Sequence, residues 1–591
     1  MSPALLLALS AVPALQDAVP PHSRTCEQVI QAVGAHSGWQ SGADAAPQLG
    51  GTLQPLPGWY SGDTHSHRQL CGAGVGQDLS VAELFAQQQA AGLDVACALL
   101  WHSPGGVSVQ DFFSSYAPLV TGVEESVSMA NPGQFLQHDI ETSGFGGPSQ
   151  FGHLIGLGLS DGHFDPAAKF STPLMDFMRA QPGSATGYAH VIWPDNGTYP
   201  PIELIGPDLA YFAPIDLALG KLDFIERVPL GDDLMTWSFP GMHYPMLNSG
   251  LRVAITAGSD NTCIYPQPGD ARTWVEVEGE LDYYSWIEGI RAGRTTISQG
   301  GSEFLHFTTQ NVGVGRQVDL ATPGTLPMRA TMFAAPGLPS SGTIEILRNG
   351  QVIASEDFDL PNGGVHSFLH TQSMERSAWL AARVKSRTHT GAVYVIVEDE
   401  PIVELTDALY WIGYCDHLSN SVANNQGTFL LEPADQAEIL GRIAAAREVY
   451  VAYARAAGNS PQGTLRFGSS TQACQGPIAI GATVGAKVGD PNFAITCINA
   501  PGDTTGWLMF GTAGLPTGLA AFGITSYLDP LGGFFSIPAQ TQGAGFASLP
   551  VSLPPAAASV TLIAQYVWLN TLDCAGTGAL SASNALVINA Y

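Results

Sequence analysis

SVAELFAQQQAAGLDVACALLWHS, residues 80–103, decides how the first half of this chain reads. Ser80 is placed to cap a helix, with Glu83 three residues on completing a capping box. The helical spacing runs to Gly92, the residue type that closes helices in a left-handed conformation. LDVACALL follows without a polar break, as expected of a strand covered on both faces. The strand then ends in His102. A helix feeding a buried strand that stops on a polar residue is a β/α unit, and the pattern repeats. SATGYAH, KLDFIERV and GLRVAITAGSD are further apolar strands that end in His190, in Glu226 and Arg227, and in Asp260. This rhythm over residues 56–302 predicts a β/α barrel, a fold whose chemistry sits at the carboxyl ends of the strands.

Outward from that region the texture changes. From residue 303, TLPMRATMFAAPGLPSSGTIEILRNGQVIASEDFDL alternates apolar and polar positions around an Asn349-Gly350 turn, which predicts a β-sandwich over 303–404. Residues 405–458 have helical spacing, best seen in EPADQAEILGRIAAAREVYVAYARAAG. A Ser/Pro/Gly-rich linker leads to 466–591, rich in Gly, Ala, Pro and Thr with short strands, which predicts an all-β accessory domain. At the other end, MSPALLLALSAVPALQDA reads as a signal peptide over 1–18, followed by an N-terminal segment over 19–55. An exported protein is expected, whether periplasmic, at the cell surface or extracellular.

Composition narrows the function classes. The 591 residues carry 22 basic and 51 acidic groups, a formal net charge of −29, so a broad surface for nucleic acid or anionic lipid is excluded. No segment is long and apolar enough to span a bilayer. Eight cysteines suit an exported protein with some disulfides, one of them expected locally among Cys474, Cys497 and Cys574; reduced, buried thiols are the other reading.

The residues that carry chemistry cluster in the first domain. GDTHSH, residues 62–67, sets His65 and His67 on alternate positions, which an extended strand points the same way. His102, Glu141 in DIETSGF, His153 in GHLIGLGL, His190 and Asp260 join them. A lone histidine is usually a satisfied polar residue, but five of these groups stand at strand ends in one domain and so share a rim. Imidazole and carboxylate together form a donor set for Zn, Mn or Fe.

Taken in order, these pieces resemble the PHP (polymerase and histidinol phosphatase) metallohydrolase superfamily, in its CehA/McbA-like branch. GDTHSH resembles the opening HxH strand. GLDVACALLWHS resembles the GLDxxxxTDH strand, with Trp101 where Asp is usual. DIET with GHLIGLG, YAHVIWP, LDFIERV, GSDNT, and ARTWVEV with GIRAGRTTISQGG resemble the blocks that follow. The resemblance implies a distorted (βα)7 barrel, followed here by the β-sandwich and the C-terminal all-β domain. It implies one divalent ion held by His65, His67, Glu141 and Asp260, and a second held by Glu141, His153 and His190. Of the three groups that would hold a third ion only His102 is present: Thr262 replaces a histidine, and RQLCG offers only Cys71. Two ions are therefore expected, and the third site is lost.

The activity this implies is that of a metal-dependent hydrolase acting on a small-molecule ester, either a phosphoester or a carboxyl or carbamate ester. The two ions would activate a shared water, with Asp260 orienting it or taking its proton and His102 protonating the leaving group. Glu226 reads equally as a carboxylate supporting a ligand from behind and as a charged strand terminus. Arg68, Arg272 and Arg294 are the nearest cations for an anionic substrate. A competing reading from another class is a catalytically inactive barrel within a secreted binding or structural protein.

Overall fold

The computed structural model describes residues 53, 56–67, 81–102, 133–143, 152–160, 171–191, 193, 210–227, 239–261, 267–425, 432–456, 461, 463–473, 476–570 and 579–591. The expected leader, residues 68–80 and Thr262 lie outside them. The first region is built on strands β1 (Trp59–His67), β2 (Val95–His102), β3 (Phe135–Ser143), β4 (His153–Leu157), β5 (Ala185–Tyr188), β6 (Phe224–Arg227), β7 (Ala254–Ala257), β8 (Ala271–Glu276) and β9 (Thr295–Gln299). The helices here are α1 (Val81–Ala91), α2 (Ser171–Arg179), α3 (Ala213–Ala218), α4 (Tyr244–Asn248) and α5 (Tyr283–Arg291). Helix α1 ends as its sequence predicts, with Gly92 at φ +65°.

The arrangement is not a (βα)7 barrel. β1–β2–β3 and β5–β6–β7 are parallel runs, but β4 is antiparallel to both neighbours, and β8 is antiparallel to both of its neighbours, β1 and β9. A β/α repeat needs parallel strands throughout, each joined by a crossover helix. Here two changes of direction interrupt it, and the described residues hold seven α-helices against thirty-one strands. The strands form a curled, mixed sheet that continues past β9 rather than closing on itself. Its curl nevertheless returns the end of β7 to the side of β1: Asp260 N donates to His65 O at 2.8 Å, and Ser66 bridges to Asn261.

Each face of this sheet has its own core. The convex face carries Leu100, Ile140, Leu154, Tyr188, Ile225 and Ile255, packed under the surrounding helices. The concave face carries Val95, Cys97, Leu99, Ile155, Phe224 and Ala254, and its lower end is filled by α5 through Tyr283, Trp286 and Ile290. Burial on both sides explains the unbroken apolar runs. Asp282 caps α5 by accepting from Ser285 N at 2.7 Å. Trp286 lies so close to β1 that a Cβ on Gly62 would meet its ring at 2.4 Å, so position 62 admits only glycine.

The sandwich shares this sheet. Strands β10 (Glu303–Thr309), β11 (Val312–Gly313), β13 (Gly324–Ala334) and β16 (Gly364–Met374) form a separate four-stranded layer. β12 (Gln317–Leu320), β14 (Ser340–Arg348), β15 (Gln351–Leu360), β17 (Ala378–Val384), β18 (Thr388–Thr390) and β19 (Val393–Val397) extend the first sheet through β18 pairing with β9. Phe304, Leu326, Met332, Ile344, Ile346 and Leu380 fill the space between the two layers. The Asn349-Gly350 turn joins β14 to β15, with both residues at positive φ as such a turn requires.

Helices α6 (Leu405–Ala423) and α7 (Pro433–Ala456) pack back on the first region. Tyr414 Oη donates to Tyr211 O and Tyr450 Oη to Pro214 O, both at 2.7 Å. Among the described helices none is long and apolar enough to cross a membrane. The described residues between 464 and 589 form further antiparallel sheets around a core that includes Trp568 and Tyr566. Cys497 lies in that core as a free thiol, contrary to the disulfide reading for it, and accepts from Trp568 Nε1 at 3.4 Å. Cys97 and Cys415 are likewise free and buried.

Candidate metal centre

Alternation along the strands sorts the concave face into an apolar floor and a polar rim. On β3 the inward positions rise through Asp139 to Glu141, and on β6 from Phe224 to Glu226. Asp139 is low enough to accept from Tyr283 Oη on α5 and from Gly158 N and Leu159 N, both at 3.0 Å; burial pushes its carboxyl up to about 7. β4 runs the other way, so its first residue, His153, reaches the rim where the parallel strands end. The direction change that breaks the barrel pattern is what delivers this histidine. His190 and Asp260, just past β5 and β7, have φ of +33° and +48°. That left-handed backbone costs a non-glycine residue about 1–3 kcal/mol and concentrates at functional sites. Here it turns both side chains back over the rim.

Six of the expected ligands meet. Two overlapping groups, His65, His67 and Glu141, and Glu141, His153 and His190, have donor atoms spaced to hold an ion. In the first, His65 Nε2 and His67 Nε2 are 3.1 Å apart. Each lies 3.3 Å from Glu141 Oε2, and Asp260 Oδ1 is 3.4 Å and 3.0 Å from them. The His65, His67 and Glu141 donor atoms, 3.1–3.3 Å apart, have the spacing of neighbouring ligands that each stand about 2.0 Å from a tetrahedral zinc ion. In the second, Glu141 Oε1 is 2.6 Å from His153 Nδ1 and 3.3 Å from His190 Nε2, and the two histidine nitrogens are 3.0 Å apart. Glu141 thus turns one oxygen to each group.

The electrostatics fit a cation. His65 Nδ1 lies 2.6 Å from Glu226 Oε1, which places a proton on Nδ1 and leaves the Nε2 lone pair facing the group. Burial opposes charge on His65, but Glu226, Glu141 and Asp260 outweigh it and hold its pKa well above the usual value. Burial likewise opposes ionisation of Glu141 and Asp260, yet the facing histidines pull both carboxyls down, Glu141 well below the usual range. Desolvation dominates at Glu226, whose carboxyl is raised. His65 is fully buried, whereas the Asp260 side chain is 27% exposed, so solvent reaches the site on the Asp260 side.

The remaining expectations fare differently. His102 closes β2, but its side chain, like Arg68 and Cys71, lies outside the described residues. Arg272 is no substrate cation: it is buried and donates to the carbonyls of Gly269, Gly92 and Ala91, and desolvation lowers its pKa to about 10. Arg294 donates to Glu276 O and pairs with Glu278. Sequence reasoning misses Asp63, whose carboxylate accepts from His65 N, Ser259 N, Ser259 Oγ and Gly269 N at 2.6–2.9 Å and ties β1 to the loop after β7. The position of an Asp just before the HxH pair is its only signal.

No family model matches the chain, and no curated protein matches it. Among solved structures it is similar to a β-glucosidase from Listeria innocua, seen once with laminaribiose and once with glucose. Each match has 10% identity, covers 16% of either chain and has a TM-score of 0.13, a likeness too slight to bear on fold or activity.

Proposed function

We propose that this chain is a metal-dependent hydrolase that cleaves an ester bond, phosphoester or carboxyl or carbamate ester, at a pair of divalent cations. The observation that carries the reading is Glu141, whose two oxygens each complete a separate histidine-rich group. Packing alone does not call for four imidazoles and two carboxylates turned toward one another in a buried rim. His65, His67, Glu141 and Asp260 would hold one ion, and Glu141, His153 and His190 the other. Zn, Mn and Fe all suit these donors. Two such ions lower the pKa of a water and stabilise charge that develops on a substrate oxygen.

The protein's own groups do the rest. His65, locked from behind by Glu226, is the rigid ligand. Asp260 is the partly exposed carboxylate and the group placed to orient the attacking water or accept its proton. His153, 14% exposed, marks the second group's solvent side. The reading rests on this site and not on the barrel fold.

The test is elemental analysis of purified protein, with turnover of p-nitrophenyl phosphate and p-nitrophenyl acetate before and after chelation and re-addition of Zn²⁺ or Mn²⁺. Two ions per chain and chelator-sensitive turnover are expected, both lost in a His65→Ala/His67→Ala variant. Protein that takes up no ion overturns the reading. Protein that binds ions but turns over neither ester points to the non-catalytic binding protein.

A further inference from the structure

The stretch Gly62–His67 is not a regular strand. Asp63 pairs with Ala96 on β2 and Ser66 with Ala98, so β1 takes three steps where β2 takes two. One extra residue is accommodated across Thr64 and His65, a bulge of the kind that re-aims side chains beside active sites. In a regular strand these neighbours would face opposite sides. Here both reach one carboxylate: Thr64 Oγ1 donates to Glu226 Oε2 at 2.5 Å, and His65 Nδ1 meets Glu226 Oε1 at 2.6 Å. The bulge takes His65 N off the ladder, and Asp63 Oδ1 accepts it at 2.9 Å. All four residues are buried. A Cβ on Gly258 would sit 2.4 Å from His65 Cβ and 2.8 Å from Glu226 Oε2, so the carboxylate is closed in by backbone.

We propose that the bulge at Thr64–His65 exists to build a Thr64–Glu226–His65 relay, in which Glu226 and Thr64 are positioning residues that set the tautomer and aim of His65. Glu226 touches no ion position; it faces the far nitrogen of the imidazole. Its oxygens are divided, one fixing the proton on His65 Nδ1 and the other held by the Thr64 hydroxyl so that the carboxylate cannot rotate. Carboxylates that support a ligating histidine in this way strengthen ion binding about 10–100-fold. The inference rests on the metal-binding reading above. It adds that the first ion position depends on Glu226 and Thr64 while the second, at Glu141, His153 and His190, does not.

The experiment titrates Zn²⁺ into full-length wild type, E226Q, T64V and T64S against a chromophoric chelator, and records the rise in Tm on adding Zn²⁺. For E226Q the first ion weakens by about 10–100-fold while the second keeps its wild-type affinity. T64V moves the first ion in the same direction by a smaller factor, and T64S, which keeps the hydroxyl, restores both affinity and Tm rise. Wild-type binding of both ions by E226Q and T64V overturns the relay. So does a T64S variant no better than T64V, since shape and not the hydroxyl would then be at work. If E226Q does not fold, the T64V and T64S pair decides alone. Wild-type protein that binds no Zn²⁺ at all sinks the metal reading and the relay with it, a result distinct from wild-type binding with indifferent variants.

Discussion

Glu141→Gln is the substitution that tests the site most directly, because it is nearly isosteric and removes the one group both ion positions share. The carboxylate reaches His65 and His67 through Oε2 and His153 and His190 through Oε1. An amide offers one oxygen; its nitrogen has no lone pair to give. Whichever way the amide turns, one position loses its shared donor. If the oxygen faces the first group, the second keeps only His153 and His190; if it faces the second, the first keeps His65, His67 and Asp260. The position that loses the shared donor is therefore expected to bind its ion weakly, so that dialysed protein keeps about one tightly held ion per chain instead of two. The loss also shows in stability, since an ion present at 100 times its Kd stabilises the fold by about 2.7 kcal/mol. Two ions give about 5 kcal/mol and one ion half of that. For a unit of this size the Tm rise on loading is then roughly 10–20 °C in wild type and roughly half as much in the variant. Elemental analysis after dialysis, with melting curves before and after chelation, reads both quantities. A variant that retains two ions and the full Tm rise refutes the bridging role of Glu141.

Three further outcomes follow from particular contacts. Gly258→Ala drives a methyl into His65 and Glu226; overpacking costs about 1–3 kcal/mol, and ion binding at the first position should fall with it, read by denaturant melts and Zn²⁺ titration. Buried His389, hydrogen-bonded to Tyr244 and to Thr390 O, and buried His243 have pKa values lowered by desolvation to about 3 and about 4. The unfolded chain binds these protons near pH 6.5 and the folded one does not, so stability falls as pH drops below about 6.5, by at most about 1.4 kcal/mol per pH unit for each histidine. A His389→Gln variant should lose less stability than wild type between about pH 6.5 and 4, and equal slopes would refute the assignment. Asp139, raised to about 7, acts with the opposite sign: its contribution is full below its unfolded pKa near 3.8 and is lost as pH rises through about 7, so Asp139→Asn should flatten that side of the denaturant-melt profile.

Much of the candidate site is legible in the sequence alone. His65, His67, Glu141, His153, His190 and Asp260 sit where apolar strand patterns give way to polar residues, and a strand end is a local property that composition and period reveal. The barrel expectation fails for a physical reason. Whether β4 runs parallel or antiparallel to β3 leaves no mark on HLIGL, because a strand buried on both faces reads the same in either direction. Arg272 looks available in sequence because side-chain hydrogen bonds to distant carbonyls have no local signature. Glu226 reads either way because its partner is 161 residues distant. The helices α6 and α7, which carry no acid/base set, instead brace the convex face, and Trp193, three residues beyond His190, donates to Tyr410 at 3.0 Å.

By itself the sequence determined which donors exist and that they fall at the ends of buried strands, because side-chain alternation and helix punctuation are written over a few neighbouring residues. Only the tertiary structure decided that β4 reverses to bring His153 to the rim and that β1 bulges so that Thr64 and His65 share Glu226. It alone curls one mixed sheet until β7 lies beside β1. Strand direction, bulge position and curvature depend on pairing between segments far apart in the chain, and such pairings are settled by the packing of the whole core.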